Sequence, residues 1–370
     1  EANEIALDVL TKGINSLGFK VGDAAELPEL LAGIDLAKVE INLNCCPGKA
    51  LAVAEALVAM VKAAGAADTF RGSIDYNPLR RQLMHGVEGF DADAVKAQAC
   101  ALLDVVADVK GLRCLAVDSE ILANGGAYIY QELGYALAWG ASWLNLLTEA
   151  GRSAVEVACR IKFNMCVSSN FFMEIAKLRA ARMLWALIVE QYKPECDCAA
   201  KMLVCATTSR FNQTIYDAHV NLLRSQTETF SACVAGVDSI VVTPFDVPYK
   251  KPDAFSERIA RNQQFLLKEE SHMDKVVDPA GGSYYVEHLT VAIAEEGWKL
   301  FLAVMDEDGA FFGAVGRGEV QKAVNDSCAK RHTDVARRKE VLLGTNQYPN
   351  INELAAGKIE DTSCHCGCSA

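Results

Sequence analysis

The strongest constraint on this chain is a regular alternation of short β-prone runs with longer stretches of helical periodicity. The sequence contains eight β-prone runs: Leu17–Val21, Val39–Asn44, Arg71–Asn77, Cys114–Leu122, Lys162–Val167, Met202–Thr207, Ser239–Thr243 and Lys275–Asp278. Helical stretches between them include Lys49–Ala64, Asp91–Val109, Tyr128–Leu147, Asn170–Tyr192, Tyr216–Val234 and Ala254–Ser271. Because crossovers of helical length join parallel strands, the alternation predicts an α/β protein with a closed (β/α)8 TIM barrel.

A doubly wound open sheet is the alternative that the same alternation permits. No Gly-x-Gly-x-x-Gly sequence follows any of the predicted strands, which disfavours the dinucleotide-binding form of that sheet. Beyond the eighth run, the sequence from Tyr284 to about Lys339 is helical again. We therefore expect a barrel with extra C-terminal helices over residues 1–345, followed by a C-terminal extension with a Cys-rich tail over residues 346–370.

Charge and cysteine placement exclude several classes of partner. The net charge is −12, from 48 acidic and 36 basic residues, so nucleic acid and anionic membranes are poor partners. No apolar run approaches the ~20 residues that span a bilayer. Most of the 14 cysteines lie inside apolar segments, as Cys114, Cys166 and Cys205 do, and cysteine in such places is a small buried hydrophobe. Together with the absence of a signal peptide at Glu1, this predicts a cytoplasmic location.

Two local clusters resemble metal sites but have simpler interpretations. Cys364, His365, Cys366 and Cys368 are soft ligands that could hold zinc or copper, yet ligands this close together at a chain end make a weak site. We expect a solvated tail there, and a loop before a strand at Cys196-x-Cys198. No metal is expected.

Asp217-x-His219 resembles the start of the Asp-x-His-x-x-Gly signature with which many corrinoid proteins offer a histidine to cobalt. Leu222 stands where that signature needs glycine. We interpret the segment as a helix start, with Asp217 near the positive end of the helix dipole. No Ser-His-Asp set, P-loop or HExxH sequence is present, so the residues alone show no catalytic cluster.

Four longer strings carry a specific resemblance. They are NFFMEIAKLRAARMLWA from Asn170 to Ala186, YDAHVNLLR from Tyr216 to Arg224, FSERIARNQQ from Phe255 to Gln264 and DPAGGSYYVE from Asp278 to Glu287. In this order and spacing they resemble the acyl-CoA mutase barrel of the methylmalonyl-CoA mutase family, over residues 4 to about 352. The resemblance implies a (β/α)8 barrel, in agreement with the strand count.

The resemblance also implies a reaction. In this family the cobalt–carbon bond of adenosylcobalamin breaks homolytically, and the adenosyl radical takes hydrogen from methylmalonyl-CoA. The carbonyl-CoA group then migrates and succinyl-CoA results. The cofactor supplies the difficult chemistry, and the protein positions and shields the reacting groups.

The groups that hold substrate in the active members are missing at the matching positions of this chain. Asp75 stands at the position of a glutamine, His85 at that of an arginine, and Glu120 and Ile121 at those of a Tyr-His pair. Leu203 replaces an arginine that holds CoA. Carboxylates at Asp75 and Glu120 would repel an anionic thioester, which arginine and neutral donors would bind.

The resemblance therefore predicts the small, catalytically silent subunit of a heterodimer, which stabilises a catalytic large subunit. The chain itself is expected to bind neither substrate nor cofactor, since the family's cobalamin-binding domain follows the barrel and is absent here; adenosylcobalamin then belongs to the catalytic partner. The alternative is an active mutase for another acyl-CoA that uses Asp75 and His85 itself. Whether the chain forms a homodimer in isolation, and whether it is a natural short subunit or a truncated one, stays open.

Overall fold

The computed structural model describes residues 1–86, 90–354 and 357–360, and its strands are all parallel. The strands are β1 Ser16–Val21, β2 Glu40–Cys45, β3 Gly72–Ile74, β4 Leu112–Arg113, β5 Leu115–Asp118, β6 Ile161–Val167, β7 Val204–Thr208 and β8 Ser239–Val241. They pair in chain order within two sheets, β1-β2-β3-β4 and β5-β6-β7-β8. This confirms the α/β class and the strand order of a barrel-like fold.

Helices follow nearly every strand. They are α1 Ala2–Thr11, α2 Leu27–Leu30, α3 Ala50–Ala63, α4 Arg80–His85, α5 Ala92–Val106, α6 Glu120–Asn124, α7 Ile129–Glu149, α8 Ala154–Ala158, α9 Phe171–Glu190, α10 Val220–Val234, α11 Ala254–Phe265, α12 Tyr284–Met305, α13 Ala310–Gly316 and α14 Glu319–Ala336. Local sequence explains several starts: Asp91 accepts hydrogen bonds from the first turn of α5, and Asp253 forms a capping box with Ser256 at α11. A π-helical turn, Leu266–Glu270, extends α11.

The two sheets curve around a shared interior. Only Cys114 separates β4 from β5; β5 lies within the predicted strand Cys114–Leu122, whereas β4 precedes it. The amides of Cys114 and Leu115 both donate to the carbonyl of Arg160. The Lys162 side chain of β6 reaches Asn42 on β2, across the interior. Within the described residues, the ladders run from β1 around to β8 but do not close between those two strands.

The eighth predicted strand, Lys275–Asp278, is wrong. The chain there forms a 3-10 turn, Met273–Lys275, and continues outside the sheet, with Val277 96% exposed. Asp278 adopts a left-handed φ of 44°, which an extended strand does not allow, and its carboxylate accepts two hydrogen bonds from Arg179. The predicted strand Cys114–Leu122 also ends early, at Asp118, because the chain enters α6 at Glu120.

The predicted C-terminal helices are confirmed, and they form a second layer over α7. The Trp139 ring of α7 stacks on Phe311 of α13, and Trp143 packs edge-on against Phe312. On its other side α7 contacts the barrel, where the indole of Trp143 donates to the carbonyl of Ala116. The helix is therefore buried on both sides, which explains why its sequence is apolar nearly all round.

Cysteine placement agrees with the expectation of buried thiols. Cys114, Cys166 and Cys205 are buried and free, whereas Cys196 and Cys198 are joined by a disulfide in the loop before β7. No helix of the described chain is long and apolar enough to cross a membrane. The division of the chain at residue 345 stays a prediction.

Candidate functional site

The interior of the barrel is lined by polar side chains that converge on one lysine. Lys162, the second residue of β6, is only 5% exposed. Its ammonium group donates to the Asn42 side chain at 3.0 Å and to the Ser73 hydroxyl at 2.9 Å, and it lies 3.4 Å from both carboxylate oxygens of Asp75. Burial acts to lower the pKa of Lys162, but Asp75 and the other nearby anionic groups outweigh it, so the pKa is raised. Lys162 is therefore charged, and its charge is balanced by Asp75.

A second carboxylate, Asp118, lies at the end of β5. It accepts hydrogen bonds from the side-chain amides of Asn164 at 2.6 Å and Asn77 at 2.7 Å. Burial, together with the charges of Asp75 and Glu120, raises the pKa of Asp118 to about 6. The carboxylates at this end of the interior therefore repel one another.

The positions matched to the active family members are only partly together in space. Asp75 and Glu120 both line one large cavity, of about 1920 Å³, that includes the barrel interior. His85 is exposed at the end of α4, Ile121 follows Glu120 on α6, and Leu203 precedes β7. The three are not among the residues lining that cavity within the described chain. The structure thus brings two of the five positions into the barrel mouth.

The sequence analysis missed Lys162 and Asp118 as members of this interior. The signal was present in the run Ile161–Val167, where Lys162 and Asn164 alternate with apolar residues and so share one face of the strand. An alternation within a strand that is buried throughout indicates a polar lumen.

A separate cluster of buried charges lies between α7 and α9. The Lys177 ammonium group contacts Glu132 at 2.5 Å and Glu174 at 2.6 Å, and all three side chains are at most 2% exposed. It also donates to the carbonyl of Cys166 at 2.6 Å. Burial acts to lower the pKa of Lys177, but the two carboxylates outweigh it and raise the pKa. The NFFMEIAKLRA string therefore carries an internal ion-pair network that joins two helices to β6.

Glu228 of α10 lies buried beside this network. One carboxylate oxygen accepts a hydrogen bond from the Asn212 side chain at 2.6 Å, and the other has no hydrogen-bond partner within the described residues. Burial raises the pKa of Glu228 to about 8. Glu228 is consequently protonated at neutral pH.

Two of the four motif strings meet at one arginine. Arg179 of α9 donates to both carboxylate oxygens of Asp278, at 3.0 and 3.1 Å. It also donates to Glu287 at 2.9 and 3.1 Å and to the Thr290 hydroxyl at 3.1 Å. These contacts fix the DPAGGSYYVE segment against α9 and are structural.

The corrinoid-like motif does not form a cobalt site. His219 caps α10, and its ring stacks on Phe245 with the centroids 5.2 Å apart. Asp217 precedes the helix with a φ of 45°, and its backbone N–H donates to Glu353. A helix start was the prediction, and it is confirmed. Within residues 1–86, 90–354 and 357–360, no group of three or more His, Cys, Asp or Glu side chains is placed to hold a metal ion.

The weak tail candidates Cys364, His365, Cys366 and Cys368 lie outside the described residues. Their expected lack of metal stays a prediction.

Comparison with known proteins matches residues 8–365 to the family model described as methylmalonyl-CoA mutase. The methylmalonyl-CoA mutase small subunit of Porphyromonas gingivalis is 52% identical over 379 residues, covering 99% of this chain and 60% of the relative. The small subunit of Streptomyces virginiae is 36% identical, over 95% of this chain and 57% of the relative. The methylmalonyl-CoA mutase of Rhizobium meliloti is 29% identical, over 92% of this chain and 48% of that protein.

The chain thus spans about 60% or less of the length of these relatives. The family model covers most of the chain, and the motif strings on α9, α10, α11 and at the start of α12 fall within it. The chain belongs to the methylmalonyl-CoA mutase family.

Proposed function

We propose that this chain is the barrel of the small, catalytically silent subunit of an adenosylcobalamin-dependent methylmalonyl-CoA mutase. In this proposal it pairs with a catalytic large subunit and stabilises it, and the rearrangement of methylmalonyl-CoA to succinyl-CoA takes place in the partner. The names of the relatives from Porphyromonas gingivalis and Streptomyces virginiae, both small subunits, support the assignment. Nine of the eleven cysteines within the described residues are not in a disulfide, which supports a cytoplasmic location.

The observation that carries the silent role is the charge of the barrel interior. Lys162 is a buried cation of this interior, and its ammonium group is already engaged by Asp75. Asp118 and Glu120 add two further carboxylates near the same opening, and Glu120 lines the cavity with Asp75 and Asp118. Lys20 and Arg210 also line this cavity. A carboxylate or a CoA phosphate that approached Lys162 would nevertheless meet the carboxylates of Asp75 and Asp118 in a partly desolvated site, where repulsion is least screened.

The cofactor is proposed to lie with the catalytic partner. A cobalt-binding histidine must present a free ring nitrogen to a wide opening, as the corrinoid signature does with its glycine. His219 is instead packed face-on against Phe245 and borders a cleft of about 520 Å³ with Lys250 and Glu353. The surroundings of His219 therefore do not fit a cobalt-binding histidine, and no step of the reaction is assigned to them.

The test uses the full-length small and large subunits, purified separately and mixed, with adenosylcobalamin and methylmalonyl-CoA. We expect no succinyl-CoA from the small subunit alone. We expect the large subunit to be more active and more heat-stable in the mixture than by itself. Succinyl-CoA production by the small subunit without its partner would contradict the proposal.

A matched pair of variants separates the silent role from the alternative of an active mutase with an altered pocket. Glu120→Gln removes one charge from the barrel mouth, and Glu149→Gln removes one from the exposed end of α7. If the barrel is silent, both mixtures turn over methylmalonyl-CoA and longer-chain acyl-CoA substrates at the wild-type rate. A change in kcat or in substrate preference with Glu120→Gln alone would support the active pocket.

A further inference from the structure

Three cysteines lie together where β6 and β7 begin. Cys159 ends α8 just before β6, and Cys196 and Cys198 lie in the loop before β7. The sulfur atom of Cys159 is 4.0 Å from that of Cys198, which is bonded to the sulfur of Cys196. Because β6 and β7 run parallel, this group, here called the three-cysteine cluster, lies at the opposite end of the strands from Asp118. It is therefore separate from the barrel mouth.

The disulfide of the three-cysteine cluster is open to solvent. Cys196 and Cys198 are both exposed, and Cys159 is partly exposed. The other described cysteines form no disulfide. Exposed disulfides are the labile ones, and a neighbouring thiolate breaks them by attacking one of their two sulfur atoms. Cys159 is placed to attack the sulfur of Cys198.

Backbone contacts hold Cys159 and the disulfide side by side. The Cys159 N–H donates to the Val155 carbonyl at the end of α8, and the Cys159 carbonyl accepts a hydrogen bond from the Arg113 guanidinium. In the loop before β7, the N–H of Cys198 donates to the sulfur of Cys196 at 3.2 Å. A reaction between groups that are held in place is faster than the same reaction between separate molecules.

We propose that the three-cysteine cluster is a thiol–disulfide exchange site, and that Cys196 is its modification site for low-molecular-weight disulfides. Cys159 gives up its thiol proton, and its sulfur attacks the sulfur of Cys198. The Cys159–Cys198 bond forms, the Cys196–Cys198 bond breaks, and the electron pair of the broken bond leaves on the Cys196 sulfur. One thiol and one disulfide are present before and after, so this step consumes no oxidant.

The exchange changes what the disulfide encloses. Cys196–Cys198 joins residues that are two apart, whereas a Cys159–Cys198 bond joins residues 39 apart and encloses β6 and α9. The released Cys196 thiolate lies in an exposed loop, where it attacks the disulfide of a small thiol such as oxidised glutathione. A mixed disulfide forms at Cys196, and the other half of the reagent leaves as a thiolate.

The probe is oxidised glutathione, added to the full-length small subunit purified without reductant. Remaining thiols are blocked with N-ethylmaleimide, and the protein is digested with trypsin and mapped by mass spectrometry. Trypsin places Cys159 in the peptide 153–160, and Cys196 and Cys198 together in the peptide 183–201. A bond between Cys159 and Cys198 therefore joins two peptides, whereas the Cys196–Cys198 bond stays within one.

We expect the two peptides to be joined, with glutathione on Cys196. Cys159→Ser removes the attacking sulfur and should lower the yield of the Cys196 adduct on the order of tenfold or more, because a neighbouring thiol acts at a high effective concentration. Cys328→Ser is the matched control, since Cys328 of α14 is also partly exposed but lies beside His332, and it should give the wild-type yield.

Three results would overturn the proposal. The first is an intact Cys196–Cys198 bond with Cys159 unmodified or itself carrying the glutathione. The second is a pair of joined peptides in which Cys196 carries no glutathione. The third is an equal yield of the Cys196 adduct in wild type and Cys159→Ser. The wild-type map decides between the first two outcomes and the proposal even if a variant does not fold. None of these assays measures mutase turnover, so they are independent of the proposed silent role.

Discussion

Glu228→Gln should flatten the dependence of stability on pH. Glu228 is 1% exposed, and its side chain accepts a hydrogen bond from Asn212 at 2.6 Å, which a glutamine carbonyl can also accept. The pKa of Glu228 is raised from 4.5 to about 8 by burial. Glutamine has nearly the same shape and does not titrate, so the substitution removes the proton equilibrium and little else.

The sign and size of the pH effect of Glu228 on the free energy of unfolding follow from proton linkage. Below pH 4.5 the side chain is protonated in both the folded and the unfolded chain, and its contribution to stability is complete. As the pH rises toward about 8, the unfolded chain loses the proton while the folded chain keeps it, so the free energy of unfolding falls. One pKa unit corresponds to about 1.4 kcal/mol, so wild type should lose about 2–3 kcal/mol between roughly pH 5 and pH 7 through this group.

Urea unfolding at several pH values measures this directly. Subtracting the curve of Glu228→Gln from that of wild type cancels the other titrating groups, Asp118 included, and leaves the contribution of Glu228. Glu190→Gln, at the exposed end of α9, is the control and should follow wild type. Parallel curves for wild type and Glu228→Gln would refute the reasoning, because they would show that the buried carboxyl group titrates alike in the folded and unfolded chains.

Two further substitutions test the packing that holds the barrel. Lys177→Met leaves two buried carboxylates without their cation and should cost about 3–5 kcal/mol in the free energy of unfolding, measured by urea denaturation. Gly140→Ala places a Cβ 2.7 Å from the Trp185 ring and should cost about 1–2 kcal/mol despite the better helix propensity of alanine. Gly316→Ala, where a Cβ meets nothing within 4 Å, should not be destabilising; equal effects at the two glycines would contradict the packing argument.

Most of the fold could be predicted from the period of the hydrophobic pattern. The stretch Tyr128–Leu147 became α7 Ile129–Glu149, and Asn170–Tyr192 became α9 Phe171–Glu190. Both helices have long apolar faces that no strand of that length could bury. The predicted strand Lys275–Asp278 was wrong for a tertiary reason. Val276 and Val277 favour a strand locally, but the contact between Asp278 and Arg179 holds this segment in another conformation. No local pattern reveals a partner 99 residues away in sequence.

The candidate site was less predictable, because its properties depend on which strands face one another. Family comparison identified Asp75 and Glu120 as charges at the barrel mouth, and the structure places both on the same cavity. It could not show that Asp75 faces Lys162, 87 residues later in the chain. The ion pair arises only when β3 and β6 curve around one interior.

This ion pair bears directly on the proposed silent role. A buried lysine must be paired or lose its proton, and in a binding site the bound anion can supply the pairing charge. In this chain Asp75 already provides the pairing charge. The side chains of Asn42 and Ser73 each accept a hydrogen bond from the ammonium group. An anionic ligand would have to displace Asp75 and then leave that carboxylate unpaired beside Asp118. The charge of Lys162 is therefore compensated within the chain, so this ion pair stabilises the barrel without requiring a substrate.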